Sequence, residues 1–343
     1  MTHRKQGKHL IDTLRTQIKN GRKALPFVST FFLPAFAAEE FDYPGEIYLI
    51  VCDADIARVW APKDPKKSRI TYFAPNGRVV ERLLLYGVRR ERIILTGFPL
   101  PKELIGGPRA EIVRHDLGVR LANLDPSGVF LRKYRQTITR HLREHVHERP
   151  NRPVTITFAV GGAGAQRVLG VTLLKALRKR ILQHEFKLRL VAGTRREVAK
   201  FFTDAVRDAR LGSELGKGVE ILSMPKRGDY FQQFSACLRT TDILWTKPSE
   251  LSFYTGLGLP IVMAPPIGSQ EEFNREWLQS VGGGMDQLNP EDADEWLMDW
   301  IQSGGLARMA WNGYFEAPTH GTYRIESIIT GKRVELEPLP LIV

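Results

Sequence analysis

Between residues 154 and 280 one pattern repeats, and it constrains the fold more than any other feature of the chain. A short run rich in Val, Ile and Leu ends in glycine or proline, and a segment of helical period follows. The runs are "VTITFAV", "FKLRLVAG", "VEILSMP", "DILWTKP" and "LPIVMAP". Helices are expected at 166–183, 195–210, 230–238, 250–257 and 271–280. Strands that are apolar at consecutive positions are buried on both faces, and their alternation with helices builds a parallel sheet. The expectation is a doubly wound α/β domain of about six strands.

The first half shows the same alternation less cleanly. Strands are expected at 46–53 ("EIYLIVCD"), 68–75 and 92–100. An amphipathic helix at 77–88 ends at Gly87, and residues 10–19 have a weak helical period. Residues 23–38, "KALPFVSTFFLPAFAA", have the outline of a secretory signal. A long polar lead-in precedes them and Pro26 and Pro34 interrupt them, so they are read as internal structure. From 101 to 150 the pattern blurs among Arg, His and turn residues. The proline-rich stretch 148–153 is taken as the linker, which divides the 343 residues into domains 1–150 and 151–343. Cys52 and Cys237 lie in or beside apolar runs, as buried thiols in a reducing, cytoplasmic compartment would.

The formal net charge of +12 favours anionic partners: nucleic acid, an acidic membrane surface or a phosphorylated ligand. A solvated basic surface explains it equally well. No zinc spacing, arginine-rich tail or RNA-binding aromatic motif is present, so no nucleic acid is expected.

Three clusters carry chemistry. The first, "FAVGGAGAQ", puts Gly161, Gly162, Ala163 and Gly164 between a strand and a helix. Glycine allows close approach of a ligand, and free N–H groups at a helix start favour a diphosphate. A plain tight turn is the bland reading. The dinucleotide fingerprint fails, because Arg167 stands where its third glycine belongs and the next strand ends in "VAG" without an acid. The Walker pattern fails too. The second cluster, "WTKPSELSFYTGLGLP", puts Lys247 and Ser249 in a loop after a strand, with Glu250 opening a helix. Lys247 and Ser249 suit the diphosphate, and Glu250 suits ribose hydroxyls, or merely the helix dipole. The third, "APPIGSQEEFN", offers Gln270, Glu271 and Asn274 to sugar hydroxyls, or as a polar helix start. Asn274 is expected on the face of Gln270.

Taken together these segments resemble the nucleotide-sugar site of two-domain GT-B glycosyltransferases. The nearest group comprises monogalactosyldiacylglycerol synthases, processive diacylglycerol glycosyltransferases and the peptidoglycan N-acetylglucosaminyltransferase. Its Thr-Lys-Pro, Gly-(Leu/Val)-Pro and Gln-Glu…Asn are matched by Thr246-Lys247-Pro248, Gly258-Leu259-Pro260, and Gln270-Glu271 with Asn274. "CDADIARVW" and "TYFAPNGRVVERLLLYGVRRERIILTGFPL" resemble its first half, and the likeness covers about residues 27–285.

The resemblance implies a GT-B-like α/β fold, two Rossmann-like domains facing a cleft, with the last helix crossing back to the first. It implies metal-independent transfer of a sugar, UDP-linked by preference, to an acceptor hydroxyl. The donor is a substrate and no cofactor is required. Met224 and Pro225 would border the base, and Asp53 is the available catalytic base. A lipid acceptor at an anionic membrane surface fits Arg132, Lys133, Arg135 and Arg140, as does a solvated helix face. The chain departs from the group in four ways. Its Gly-Gly after Lys-Pro is missing. Counting back from Gly258 puts Phe253 where the ribose-binding Glu belongs. Ala57 replaces a His, and the glycine-rich N-terminal segment has no counterpart, so the first domain is expected to be reduced or incomplete. Alternatives are a catalytically impaired nucleotide-sugar binder, a sugar-nucleotide 2-epimerase on the same fold, and a metal-gripping or phosphatase Asp-x-Asp at Asp53 and Asp55.

Overall fold

The computed structural model describes residues 2–19, 24–159 and 166–336. Met1–Leu100 with Pro318–Val343 form one compact unit, and Pro101–Ala317 form another.

The first unit holds β1 (Phe27–Ser29), β2 (Ile47–Ile50), β3 (Thr71–Ala74) and β4 (Ile93–Leu95), all parallel and in chain order. Side chains alternate across a strand. Ile47, Leu49 and Tyr72 therefore share a core with Ile11, Ala35, Val79 and Leu83 of the helices Thr2–Lys19, Phe32–Glu40 and Gly77–Leu85. Ile50 and Phe73 face the other way and are covered by Ile325 of the helix Gly321–Thr330. That helix is held at the exit of β4. Thr322 Oγ1 donates to the Leu100 carbonyl, and Arg324 donates to the Thr96 carbonyl at 3.3 Å. The Gly77–Leu85 helix starts where Asn76 Oδ1 accepts from the Val79 amide at 2.9 Å.

The signal-like segment contains β1 and most of the Phe32–Glu40 helix. Pro34 lies in the first turn of that helix, where its missing N–H has no intrahelical partner to lose.

The second unit holds β5 (Val154–Ala159), β6 (Phe186–Gly193), β7 (Val219–Ser223), β8 (Ile243–Thr246), β9 (Ile261–Met263) and β10 (Gly284–Asp286). Their order is β10-β9-β8-β5-β6-β7, all parallel. The chain winds outward from β5 to β7, then returns to the other side of β5 for β8 to β10. The helix expected at 166–183 is two, Arg167–Ala176 and Arg178–Leu182, and the one at 250–257 is a 3-10 helix, Glu250–Leu257.

The boundary lies at Leu100–Pro101 rather than at 148–153. The blurred region forms the helices Lys102–Ile105, Glu111–Leu124 and Val129–Leu142, which belong to the second unit. Buried polar contacts bind them there. Arg120, 2% exposed, donates to the carbonyls of Thr241 at 2.7 Å, Leu257 at 2.9 Å and Gly258 at 3.1 Å. Those carbonyls lie after helical segments, where the backbone presents negative partial charge. Burial pulls the Arg120 pKa down to about 10, so it remains charged at neutral pH. Arg239 pairs with Asp116 at 3.0 Å. Asn123 Nδ2 donates at 3.3 Å to fully buried Asp242, which also accepts from Arg152 and the Thr155 amide, each at 2.8 Å.

Cys52 and Cys237 are half-buried rather than fully buried. Burial pushes the Cys237 thiol up. Among the described residues no helix is long and apolar enough to cross a membrane.

Candidate functional site in the second unit

In a parallel sheet the loops after every strand emerge at one edge, and ligands bind where the winding reverses. Here the reversal lies between β5 and β8. Ala159 and Thr246 are register partners at the ends of these strands. Thr246 Oγ1 donates to the Ala159 carbonyl at 2.7 Å. Lys247 follows Thr246 directly, and the glycine-rich segment follows Ala159. Gly161, Gly162, Ala163 and Gly164 lie outside the described residues. The next described residue, Gln166, donates through Nε2 to the Pro265 carbonyl at 3.4 Å, reaching the loop after β9.

Lys247 and Glu271 come together. Thr246 pairs with Met263 in the sheet, which sets the loops after β8 and β9 side by side. Lys247 Nζ is ion-paired with Glu271 Oε1, with the side chains 18% and 17% exposed. Glu271 Oε2 accepts from the Ile267 amide at 2.6 Å. Ser249 tightens the same loop, its amide donating to the Lys247 carbonyl at 2.7 Å.

Glu250 opens the 3-10 helix and is exposed. Two tyrosines lie within its electrostatic reach. Burial raises the Tyr230 phenol, and the Glu250 carboxylate adds to the rise. Tyr254 is raised by burial and then by Glu250 and Glu103. Neither tyrosine is signalled by a motif; Tyr230 lies in the helix Arg227–Arg239, which starts three residues before the expected 230. Phe253, the position that counting assigned to the ribose ligand, is 3% exposed and packs on Trp277 with ring centroids 4.7 Å apart.

Gln270 is exposed in the first turn of the helix Ser269–Ser280. Asn274, one turn on, is 1% exposed. The two therefore do not present one face to a ligand, because Asn274 lies on the side of the helix that packs inward with Trp277 and Leu278. Met224 is half-buried at the end of β7, its amide donating to the Gly193 carbonyl at 3.0 Å, and Pro225 beside it is exposed.

Asp53 belongs to the first unit and is half-buried beyond β2. Its neighbour Asp55 is 8% exposed and already occupied. It accepts from the Ile56 amide and Arg82 Nε, each at 2.8 Å, and from Arg78 Nε at 3.1 Å. These bonds anchor the Gly77–Leu85 helix to the exit of β2, so the Asp-x-Asp is not a free pair of hard ligands. Arg132, Lys133, Arg135 and Arg140 are exposed on the Val129–Leu142 helix, with Arg135 paired to Glu148 at 2.7 Å.

No family model matches the chain, and no curated protein matches it in sequence. Solved structures match it in fold. The S. aureus MnaA–UDP co-structure is 14% identical with a TM-score of 0.54, covering 99% of this chain and 85% of that one. The UDP-GlcNAc 2-epimerase from Methanocaldococcus jannaschii is 12% identical with a TM-score of 0.50, covering 95% and 82%. The glycotransferase of kitacinnamycin is 14% identical with a TM-score of 0.50, covering 95% and 80%. At these identities the likeness establishes the fold: two parallel-sheet Rossmann-like units of GT-B type.

Proposed function

We propose that the second unit binds a UDP-sugar at the β5–β8 reversal and that the protein transfers its sugar to an acceptor hydroxyl. The observation that carries this reading is the pairing of Ala159 with Thr246, which ends β5 and β8 side by side, one just before the glycine-rich segment in sequence and the other just before Lys247. Lys247 and the backbone N–H groups of residues 161–164 are assigned to the diphosphate, whose charge grows as the sugar leaves. The donor is a substrate, and the reading invokes no resident metal or cofactor. Ser249 supports the diphosphate loop, Glu250 is assigned to the ribose, and Gln270 to the sugar. Met224 and Pro225 are assigned to the base pocket. Asp53 is the proposed acceptor-side base. A lipid acceptor at an anionic surface is the proposed role of the Arg132–Arg140 face.

A second reading, UDP-sugar 2-epimerisation, is favoured by the UDP-linked epimerase among the structures that share the fold. The two readings part on the acceptor. Calorimetry with UDP, then proton NMR of UDP-N-acetylglucosamine incubated with the protein alone and with lipid or sugar acceptors, tests both. UDP release only with an acceptor supports transfer. A new 2-epimer without an acceptor supports epimerisation. Failure to bind any nucleoside diphosphate overturns the site itself.

A further inference from the structure

We infer that Glu271 is a positioning residue, holding the Lys247 ammonium ready for a diphosphate rather than contacting the transferred sugar. The inference rests on the nucleotide-sugar reading above and assigns Glu271 a different task within it.

Both carboxylate oxygens of Glu271 are engaged inside the protein. One holds Lys247 Nζ, and the other accepts from the Ile267 amide at 2.6 Å. The Glu271 amide in turn donates to the Gly268 carbonyl at 3.0 Å. The side chain is thus held through both oxygens, its backbone is held as well, and it is mostly buried. A carboxylate so placed would have to break one of these contacts to take a sugar hydroxyl.

Lys247 gains from the arrangement. Its ammonium sits on a flexible four-carbon stem, and an unheld lysine loses much rotamer freedom when it grips an anion. An ammonium has three N–H donors. With one given to Glu271, two remain for phosphate oxygens. The carboxylate and a diphosphate share one cation rather than exchanging it. Full exchange would leave the carboxylate without its cation beside the bound anion, where like charges repel.

The sign of one mutation separates this from the alternatives. Simple electrostatics says that removing a negative charge near an anion site tightens anion binding. Positioning says the opposite. Calorimetry should therefore compare UDP and UDP-N-acetylglucosamine on the full chain and on Glu271→Ala, Glu271→Gln, Lys247→Met and the Lys247→Met/Glu271→Ala pair. Denaturation midpoints establish that each variant is folded. The expected result is a loss of about tenfold in UDP affinity for Glu271→Ala, a smaller loss for Glu271→Gln, and no further loss when Glu271→Ala is added to Lys247→Met. The salt dependence of UDP binding should fall in Glu271→Ala as it does in Lys247→Met. If Glu271→Ala does not fold, Glu271→Gln decides alone. Unchanged or tighter UDP binding, with loss confined to the sugar nucleotide, overturns the inference and returns Glu271 to the sugar. Wild-type protein that binds no UDP overturns the nucleotide-sugar reading and this inference with it.

Discussion

Thr246 Oγ1 donates to the carbonyl oxygen of Ala159 at 2.7 Å, and this bond ties the ends of β5 and β8 where the winding of the sheet reverses. Thr246 is 1% exposed, so no water substitutes for the hydroxyl. Thr246→Val keeps the shape and leaves the Ala159 carbonyl lone pair unserved. The expected cost is about 1 kcal/mol in urea unfolding, since a net hydrogen bond is worth about that. UDP affinity should weaken severalfold, because both proposed diphosphate loops leave from these two residues. A stability loss with unchanged UDP binding would assign the bond to folding alone.

Arg120 makes a prediction about folding that no apolar substitution satisfies. Its guanidinium serves carbonyls at Thr241, Leu257 and Gly258 while fully enclosed. Arg120→Met fills the volume but leaves those acceptors without donors, at roughly 1–3 kcal/mol for each one that water cannot reach. A loss of about 3 kcal/mol or more in the urea unfolding of the second unit is expected. Arg120→Lys should not rescue it, because a point charge with three donors cannot span a fork-shaped set. Near-native stability of either variant would show that the carbonyls find other partners.

The same residue explains why part of the fold was not legible. The central strands of the second unit, β5 and β8, are buried at every position and rich in β-branched, leucine and aromatic residues, the trace a doubly buried parallel strand leaves. The helix Glu111–Leu124 leaves none, because it is buried nearly all round and includes Asp116, Arg120 and Asn123 among its buried residues. Its apolar period is erased by polar residues whose partners lie far along the chain, so the region read as a blurred linker approach. β10, with the sequence Gly-Met-Asp, is three half-buried residues at a sheet edge and has no strand signature. At the site, Lys247 and Glu271 were legible as chemistry. Their contact was not, because they are 24 residues apart and meet only through the adjacency of β8 and β9.

Asp55 gives the first unit an acid-sensitive anchor. Burial alone would raise its pKa, but Arg82, the Ile56 amide and Arg78 outweigh burial and hold the carboxyl below its usual value. The folded pKa is therefore below the unfolded one, about 3.9. The stabilisation is fully present above that unfolded value and is lost as pH falls through the folded pKa. Asp55→Asn should cost on the order of 2 kcal/mol at pH 7, the scale of hydrogen bonds to a charged group. The difference from wild type should shrink towards pH 3 in a series of urea titrations. A difference that stays constant with pH would mean that shape, not charge, holds the helix.

Gly321 sets how closely the last helix docks. A Cβ placed there would fall 2.1 Å from the Phe98 carbonyl oxygen, and backbone on both sides leaves no side chain to move. Gly321→Ala should destabilise the first unit by about 1–3 kcal/mol, the range for an overpacked contact. Hydrogen exchange should quicken in residues 321–330, and in β2 and β3 beneath Ile325. Unchanged exchange there would mean that the helix tolerates a shift away from β4.

Glu250 and Phe253 separate the resemblance from what this chain can do. Counting along the motif puts the ribose ligand at residue 253, but Phe253 is 3% exposed and packed on Trp277. Phe253→Glu should therefore not create a ribose site. It buries an unpaired carboxylate and should unfold the second unit or lower its midpoint sharply. Glu250 is exposed and is the first residue of the 3-10 helix that follows the Lys247 loop, so its loss empties no core volume. Glu250→Ala should leave the unfolding midpoint within about 0.5 kcal/mol of wild type. It should weaken UDP binding about tenfold, the scale of losing a charged hydrogen bond to a hydroxyl. With 2′,3′-dideoxy-UDP the same substitution should make no difference, because the hydroxyls it is assigned to are absent. If Glu250→Ala weakens both nucleotides equally, Glu250 acts through its loop or its charge. If it weakens neither, the ribose is held by another group, and the shortened loop after Lys247-Pro248 has moved that task off the 3-10 helix.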